Sequence, residues 1–257
     1  MGNRHLSCAG PVRGIFFVFL IIIKASCTVV KEDRTDCPCA LYLEIRDLQA
    51  WPLSLSLNGK DYWEEWIISG DTTLLVRVPK SGVQLLAVAG SGLPKGGAFH
   101  IPRGFDCPPL FLQTEWVETP GDSARVKVQL HKHFCTLSLS FDGPDGWEEP
   151  YWAEVRGAVD GLTTEGDALE GPFSCRLDLG RSIRLPRQAP DEELWLDIAM
   201  PDRVIRTFAL GNYLQEAGYD WEAPDLEDLT LQVRMSVTAL RFQYSHWTRR
   251  EILDIEI

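Results

Sequence analysis

The feature that most limits what this chain can become is a two-residue alternation of apolar and polar side chains, repeated along most of its length. It appears in Leu41-Tyr42-Leu43-Glu44-Ile45, Leu53-Ser54-Leu55-Ser56-Leu57, Leu74-Leu75-Val76-Arg77-Val78 and Val126-Lys127-Val128-Gln129-Leu130. It returns in Leu137-Ser138-Leu139-Ser140-Phe141, Leu194-Trp195-Leu196-Asp197-Ile198, Leu229-Thr230-Leu231-Gln232-Val233 and Leu253-Asp254-Ile255-Glu256-Ile257. Successive residues of an extended strand face opposite ways, so each stretch sets one row in a core and the other in water. Long helical periodicity is absent, which disfavours parallel α/β folds. Short strands divided by Gly and Pro turns predict an all-β, antiparallel architecture of the sandwich or barrel kind.

One short helix is expected at about 211–217, where Leu210, Leu214 and Ala217 share a face and Gly218 closes it in a left-handed conformation. Residues 90–109 are rich in Gly and Pro and read as a long loop inside a first domain. The turn Thr119-Pro120-Gly121-Asp122-Ser123 precedes a new strand series, and a domain junction falls near 129–131. This divides the chain into a leader at 1–26, a polar tether at 27–36, an N-terminal domain at 37–129 and a C-terminal domain at 130–257.

The leader is defined by nine consecutive apolar residues, Ile15 to Ile23, behind the basic Arg4 and Arg13. The run is too short for a span of ~20 residues and fits the apolar region of a secretory signal. It ends in Ala25-Ser26-Cys27, which reads as a bacterial lipoprotein signal cut before Cys27, with Cys27 then acylated. Lys24 stands where such signals usually carry an aliphatic residue. A plain secretory signal cut near Ala25 or Ser26, and a retained membrane helix, are the competing readings. The start Met1-Gly2-Asn3-Arg4-His5-Leu6 fails the myristoylation pattern at Leu6.

A formal charge of −12 argues against nucleic acid, whose phosphates require clustered Lys and Arg, and against adhesion to anionic lipid headgroups. A hydrophobic content of 45% supports a full core and argues against disorder. Five cysteines follow Cys27, namely Cys37, Cys39, Cys107, Cys135 and Cys175, and an odd number leaves at least one unpaired. The spacing indicates no particular bridge.

Several constellations invite a chemical reading. On a strand, His131, His133 and Cys135 would line one face with ligand types suited to zinc or copper. No separate ligand pair completes such a site, and a junction strand with incidental polar residues is the simpler reading. Cys37-Pro38-Cys39 lacks a second pair as well, and its single spacer differs from the two-residue spacer of thioredoxin-type motifs. The acids Glu64-Glu65 and Glu148-Glu149 lie beside Trp63, Trp66 and Trp147, a combination that sugar sites use, and Asp191-Glu192-Glu193 forms a third cluster. Neighbours on a strand point to opposite faces, so no such doublet forms an acid/base pair, and the nine tryptophans are read mainly as packing. There is no Gly-x-Ser-x-Gly elbow and no phosphate-binding Gly-rich loop. The sequence therefore gives no positive support for an enzyme, a cofactor or a metal.

The second half carries the most specific succession: Pro150-Tyr151-Trp152-Ala153-Glu154-Val155-Arg156-Gly157, Gly171-Pro172-Phe173, Leu185-Pro186-Arg187-Gln188 and Leu210-Gly211-Asn212-Tyr213-Leu214. Gly218-Tyr219-Asp220-Trp221 then leads to Asp225-Leu226-Glu227-Asp228-Leu229. With the opening Cys37-Pro38-Cys39-Ala40-Leu41-Tyr42-Leu43, this resembles the FimB-type minor fimbrial subunits of Bacteroidales, in the fimbrillin superfamily. The resemblance implies two tandem transthyretin-like β-sandwiches, exported as a lipoprotein to the outer membrane. It also implies a role anchoring a fimbrium and affecting its length, with fimbrial stalk subunits as partners joined by strand exchange. The terminal strand, with Leu253, Ile255 and Ile257 alternating with Asp254 and Glu256, suits donation to a neighbour. The simpler reading is the last strand of the second sandwich, and the two are compatible if that strand leaves its own sheet on assembly. Tyr219 and Trp221 are expected to pack at the helix-to-strand corner while Asp220 bonds turn amides. The alternative function is a surface carbohydrate-binding adhesin that uses Trp63 or Trp66 as a platform.

Overall fold

The structure is a computed structural model that describes residues 33–34, 36–48, 52–90, 97–142, 150, 152–177, 182–189, 193, 194–199, 205–235, 239–246 and 249–256. Cys27 and Ile257 lie outside these residues. The compact body begins at Pro38.

The body is two tandem β-sandwiches. In the first, β1 (Cys39–Ile45) pairs antiparallel with β4 (Thr72–Val78) and parallel with β8 (Ser123–Val128). The facing sheet runs in the order β3 (Tyr62–Ile68), β2 (Leu53–Gly59), β5 (Val83–Gly90), β7 (Leu110–Val117), β9 (His131–Lys132). The second sandwich repeats this plan. There β10 (Phe134–Asp142) pairs antiparallel with β13 (Ser182–Pro186) and parallel with β16 (Leu229–Met235). Its facing sheet runs β12 (Ala168–Leu177), β11 (Trp152–Thr163), β14 (Leu194–Ala199), β15 (Ile205–Phe208). Two parallel pairs, β1–β8 and β10–β16, thus stand within otherwise antiparallel sheets. The second copy adds β17 (Ala239–His246) and β18 (Arg249–Glu256), which extend the β10 sheet beyond β16.

Alternation became burial as expected. Leu41, Leu43, Leu53, Leu55 and Leu57 are fully buried in the first core, and Leu137, Leu185, Leu196 and Val233 in the second. The helix α1 (Leu210–Glu216) buries Leu210 and Leu214, and Gly218 follows it at φ +77°. Tyr219 and Trp221 meet edge to face at 4.7 Å, and Asp220 Oδ1 accepts the Glu222 amide at 2.8 Å. Both features match the reading of the corner made from sequence.

Residues 90–109 differ from the expected loop inside the first domain. Within them, β6 (Ala98–His100) pairs with the end of β11, in the second sandwich. The chain then crosses the open side between β12 and β13. Gly104 donates to the Ser174 carbonyl at 2.8 Å, and Cys107 to the Arg184 carbonyl at 2.9 Å. Ile101 and Cys107 are buried in the second core, as are Leu110 and Leu112 of β7. The apolar residues scattered among the glycines and prolines serve the neighbouring core, a long-range partnership that local sequence does not encode.

Candidate functional site

The outer face of the β3-β2-β5-β7 sheet is built by the polar row of each alternating strand. Its register sets four ladder rows across the strands. The outermost runs Trp63, Asn58, Gln84, Trp116, and the next Glu65, Ser56, Leu86, Thr114. The third runs Ile67, Ser54, Val88, Leu112, and the last ends at Gly90 and Leu110. The face therefore grades from aromatic and amide groups at one end to aliphatic groups at the other. At the aliphatic end Phe99 of β6 and Leu162 of β11 close over it, leaving a groove of about 840 Å³. That volume lies within the range of small-ligand sites.

Hydrogen bonds set the polar side chains. Gln84 Nε2 donates to Thr114 Oγ1 at 2.8 Å, and Ser54 Oγ donates to Glu65 Oε1 at 3.3 Å. Trp63, 65% exposed, stands on the groove wall, whereas Trp66 faces the opposite way and packs on the first core. The three-residue offset puts the two rings on opposite faces of β3. Trp116, 51% exposed, ends the row on β7, where its ring lies over Gly82 and its Nε1 donates to Glu118 Oε1 at 3.0 Å. A Cβ at Gly82 would come within 2.6 Å of that ring, and Gly82 has φ +86°, so glycine is required there. Glu64 and Glu65 point to opposite faces, and only Glu65 lines the groove.

The row Asn58, Gln84, Trp116 was not singled out from sequence, because register across strands is a tertiary property. One signal was present: β5 reads Val83-Gln84-Leu85-Leu86-Ala87-Val88-Ala89, apolar at both parities toward its end. A strand covered on both faces is expected to read this way.

The other sequence candidates are dispersed. His131, His133 and Cys135 do not share a face, since the strand breaks at His133 and both Phe134 and Cys135 turn inward. His131 meets Asp225 Oδ2 at 3.3 Å, and Arg187 Nε donates to His133 Nδ1 at 3.3 Å. Among the described residues no three His, Cys, Asp or Glu side chains gather as metal ligands. Cys39, Cys107, Cys135 and Cys175 are buried free thiols, and Cys37 is an exposed one. Burial pushes the Cys107 and Cys135 thiols up to about 12 and that of Cys175 to about 11, which suppresses the reactive thiolate. Leu253 and Ile255 lie in β18, the last strand of its sheet, paired antiparallel with β17 over eight residues. No helix among the described residues is long and apolar enough to cross a membrane.

No family model matches this sequence, and no curated protein matches it either. Solved structures do match in fold. A candidate polysaccharide-binding protein from Bacteroides thetaiotaomicron is 12% identical, with a TM-score of 0.63 over 84% of this chain and 98% of its own. A candidate adhesin from Bacteroides ovatus is 12% identical, with a TM-score of 0.58 over 84% and 95%. The fimbrial anchor protein Mfa2 of Porphyromonas gingivalis is 12% identical, with a TM-score of 0.56 over 86% and 99%. The chain therefore shares the tandem β-sandwich fold of these solved structures, the fold that the resemblance implied.

Proposed function

We propose that this protein is a lipid-anchored minor subunit of a surface fimbria. In this reading Cys27 carries the lipid on the outer membrane, and the chain joins fimbrial stalk subunits by exchange of a β-strand. The role is one of attachment and assembly and involves no catalysis. The observation that carries the reading is the end-to-end likeness in architecture to the fimbrial anchor Mfa2, which covers 99% of that chain. The short apolar leader ending at Cys27 supports the attachment, and several acyl chains at ~0.8 kcal/mol per buried methylene would hold it durably.

The internal repeat supports strand exchange. In the second sandwich β17 lies along β16, whereas in the first no strand lies beyond the equivalent β8 among the described residues. An antiparallel strand from a neighbour, laid along β8, would reproduce the β16–β17 pairing. The terminal segment with Leu253, Ile255 and Ile257 is the donor this reading assigns.

Growth of the native host with an alkyne palmitate analogue tests the attachment. Label is expected on the wild-type protein and absent from Cys27→Ala, which should also leave the membrane fraction. An unlabelled wild-type protein would refute the anchor. Removal of residues 249–257 is expected to abolish co-purification with polymeric surface protein while the lipid label remains. Undiminished co-purification would refute donation of that strand.

A further inference from the structure

The groove on the β3-β2-β5-β7 sheet is not used by the anchoring role. Its open end carries the exposed Trp63 and the amides of Asn58 and Gln84, and the same ladder row continues past the groove lining to the exposed Trp116, whose ring lies over Gly82. Three strand spacings separate the two aromatic positions, about 14 Å. An exposed tryptophan on an edge strand, such as Trp63 on β3, is normally a liability for solubility, and among the described residues Trp63 is 65% exposed.

The second row adds Glu65, Ser56 and Thr114. Each fixed bond, Gln84 to Thr114 and Ser54 to Glu65, uses one of several hydrogen-bonding capacities of these groups. The amide and carboxylate oxygens and the remaining amide hydrogens thus keep capacity for a ligand rich in hydroxyl groups. Among the described residues no Lys, Arg or His lines the groove, while Glu65 and Glu165 do. Among the described residues an anionic ligand would meet two carboxylates and no cation, which opposes phosphate, sulfate and uronate groups.

We infer that this groove is a carbohydrate-binding site for a short neutral oligosaccharide. Trp63 is the principal platform, stacking against the apolar C–H face of one sugar ring, and Trp116 supports a ring further along the row. Asn58, Gln84, Glu65 and Thr114 exchange hydrogen bonds with the ring hydroxyls. Aromatic rings provide large contact area with little loss of conformational freedom, the property that concentrates binding energy in a few residues. The aliphatic end under Phe99 and Leu162 takes no part in sugar recognition and closes the site on one side. The inference is independent of the lipid anchor and of strand exchange.

The purified protein is titrated with cellohexaose, maltohexaose, xylohexaose and mannohexaose, and with hexagalacturonate and decanoate as anionic and aliphatic probes. Tryptophan fluorescence and calorimetry report binding. At least one neutral hexaose is expected to bind saturably, and the two anionic probes are not. Trp63→Ala should weaken that binding at least about tenfold, Trp63→Phe should restore part of it, and Trp116→Ala should weaken it less. Phe105→Ala, at an equally exposed aromatic on the second sandwich, should leave it within about twofold. Unchanged urea midpoints for all four variants would show that folding is intact. The inference is overturned if no neutral hexaose binds, if binding survives Trp63→Ala, or if only decanoate binds.

Discussion

Acidification should unfold this protein partly through one imidazole. His133 sits at the break between β9 and β10, where Arg187 Nε donates to its Nδ1 and the Arg187 amide donates to its carbonyl at 3.2 Å. Burial, then the Arg187 guanidinium and His131, push its pKa from 6.5 down to about 4, against smaller opposing effects of Asp225 and the Leu112 backbone. Between these values the unfolded chain takes up a proton that the folded chain refuses. Stability from this site is therefore complete above pH 6.5 and is lost as pH falls toward 4. The full difference of 2.5 pKa units corresponds to about 3 kcal/mol, of which about 2 kcal/mol is gone by pH 5. Urea unfolding of wild type and His133→Gln at pH 7.5, 6, 5 and 4.5 measures it. Glutamine does not titrate, so the gap between the two proteins should shrink by about 2 kcal/mol from pH 7.5 to 5. A gap that stays constant, or an NMR titration placing His133 near 6.5, would refute the reasoning.

Arg187 also donates to the Trp221 and Pro224 carbonyls, so Arg187→Leu should cost about 3 kcal/mol in urea unfolding and free the segment around Trp221, read as a shift in tryptophan emission. Gly161 allows β6 to pair closely with β11, since a Cβ there would lie 2.0 Å from the Phe99 carbonyl oxygen. Gly161→Ala should therefore destabilise by about 2 kcal/mol or more and open residues 97–109 to limited proteolysis. Asp197 accepts from Arg156 at 2.5 Å and from Thr207 at 2.6 Å. Burial opposes its ionisation, but these bonds outweigh it and hold the carboxyl below its ordinary value. Asp197→Ala should cost about 1 to 2 kcal/mol at pH 7, a loss that fades only below pH 3.8 as the wild-type carboxyl takes its proton.

Much of this fold was legible in the alternation, because each strand needed only its own residues to separate a buried row from a wet one. Leu41, Leu55, Leu137 and Leu196 could be assigned to cores in this way. The corner at Tyr219-Asp220-Trp221 was legible for a similar reason, since its main interactions span two residues. The crossing strand Ala98-Phe99-His100 was not. It has three residues, no alternation to speak of, and a partner some sixty positions away in β11. The groove was half legible: Trp63 and Trp66 had to face opposite ways, but nothing local said which faced solvent. The row that joins Trp63 to Trp116 exists only through two intervening strands. The shared face that parity offered His131, His133 and Cys135 did not form, because the argument assumes an unbroken strand and the bonds that β7 and Arg187 make to His133 interrupt it.

The two sandwiches share a strand plan yet treat their edges differently, and under the proposed strand exchange charge would choose between two of the edges. An uncovered strand offers its amides and carbonyls to any extended chain. In the second sandwich the segment after β6 crosses the side between β12 and β13, while β17 and β18 continue past β16. In the first, β4 and β8 end one sheet and β3 and β9 the other, and of these β3 and β8 differ most in charge. The β3 edge carries Glu64 and Glu65, while the solvent face of β8 carries Arg125 and Lys127. Arg125 is partly engaged by Glu44 at 3.2 Å, and Lys127 is exposed. The proposed donor places Asp254 and Glu256 between its aliphatic residues. Opposite charges across a strand pair stabilise by roughly 0.2–1 kcal/mol each and like charges destabilise, so such a donor is steered to β8 and away from β3. Lys127→Glu should then weaken co-purification with polymeric surface protein by several-fold without altering the urea midpoint, and Glu64→Lys should leave it unchanged. The opposite ranking of the two variants would place the contact on β3 and refute the electrostatic choice.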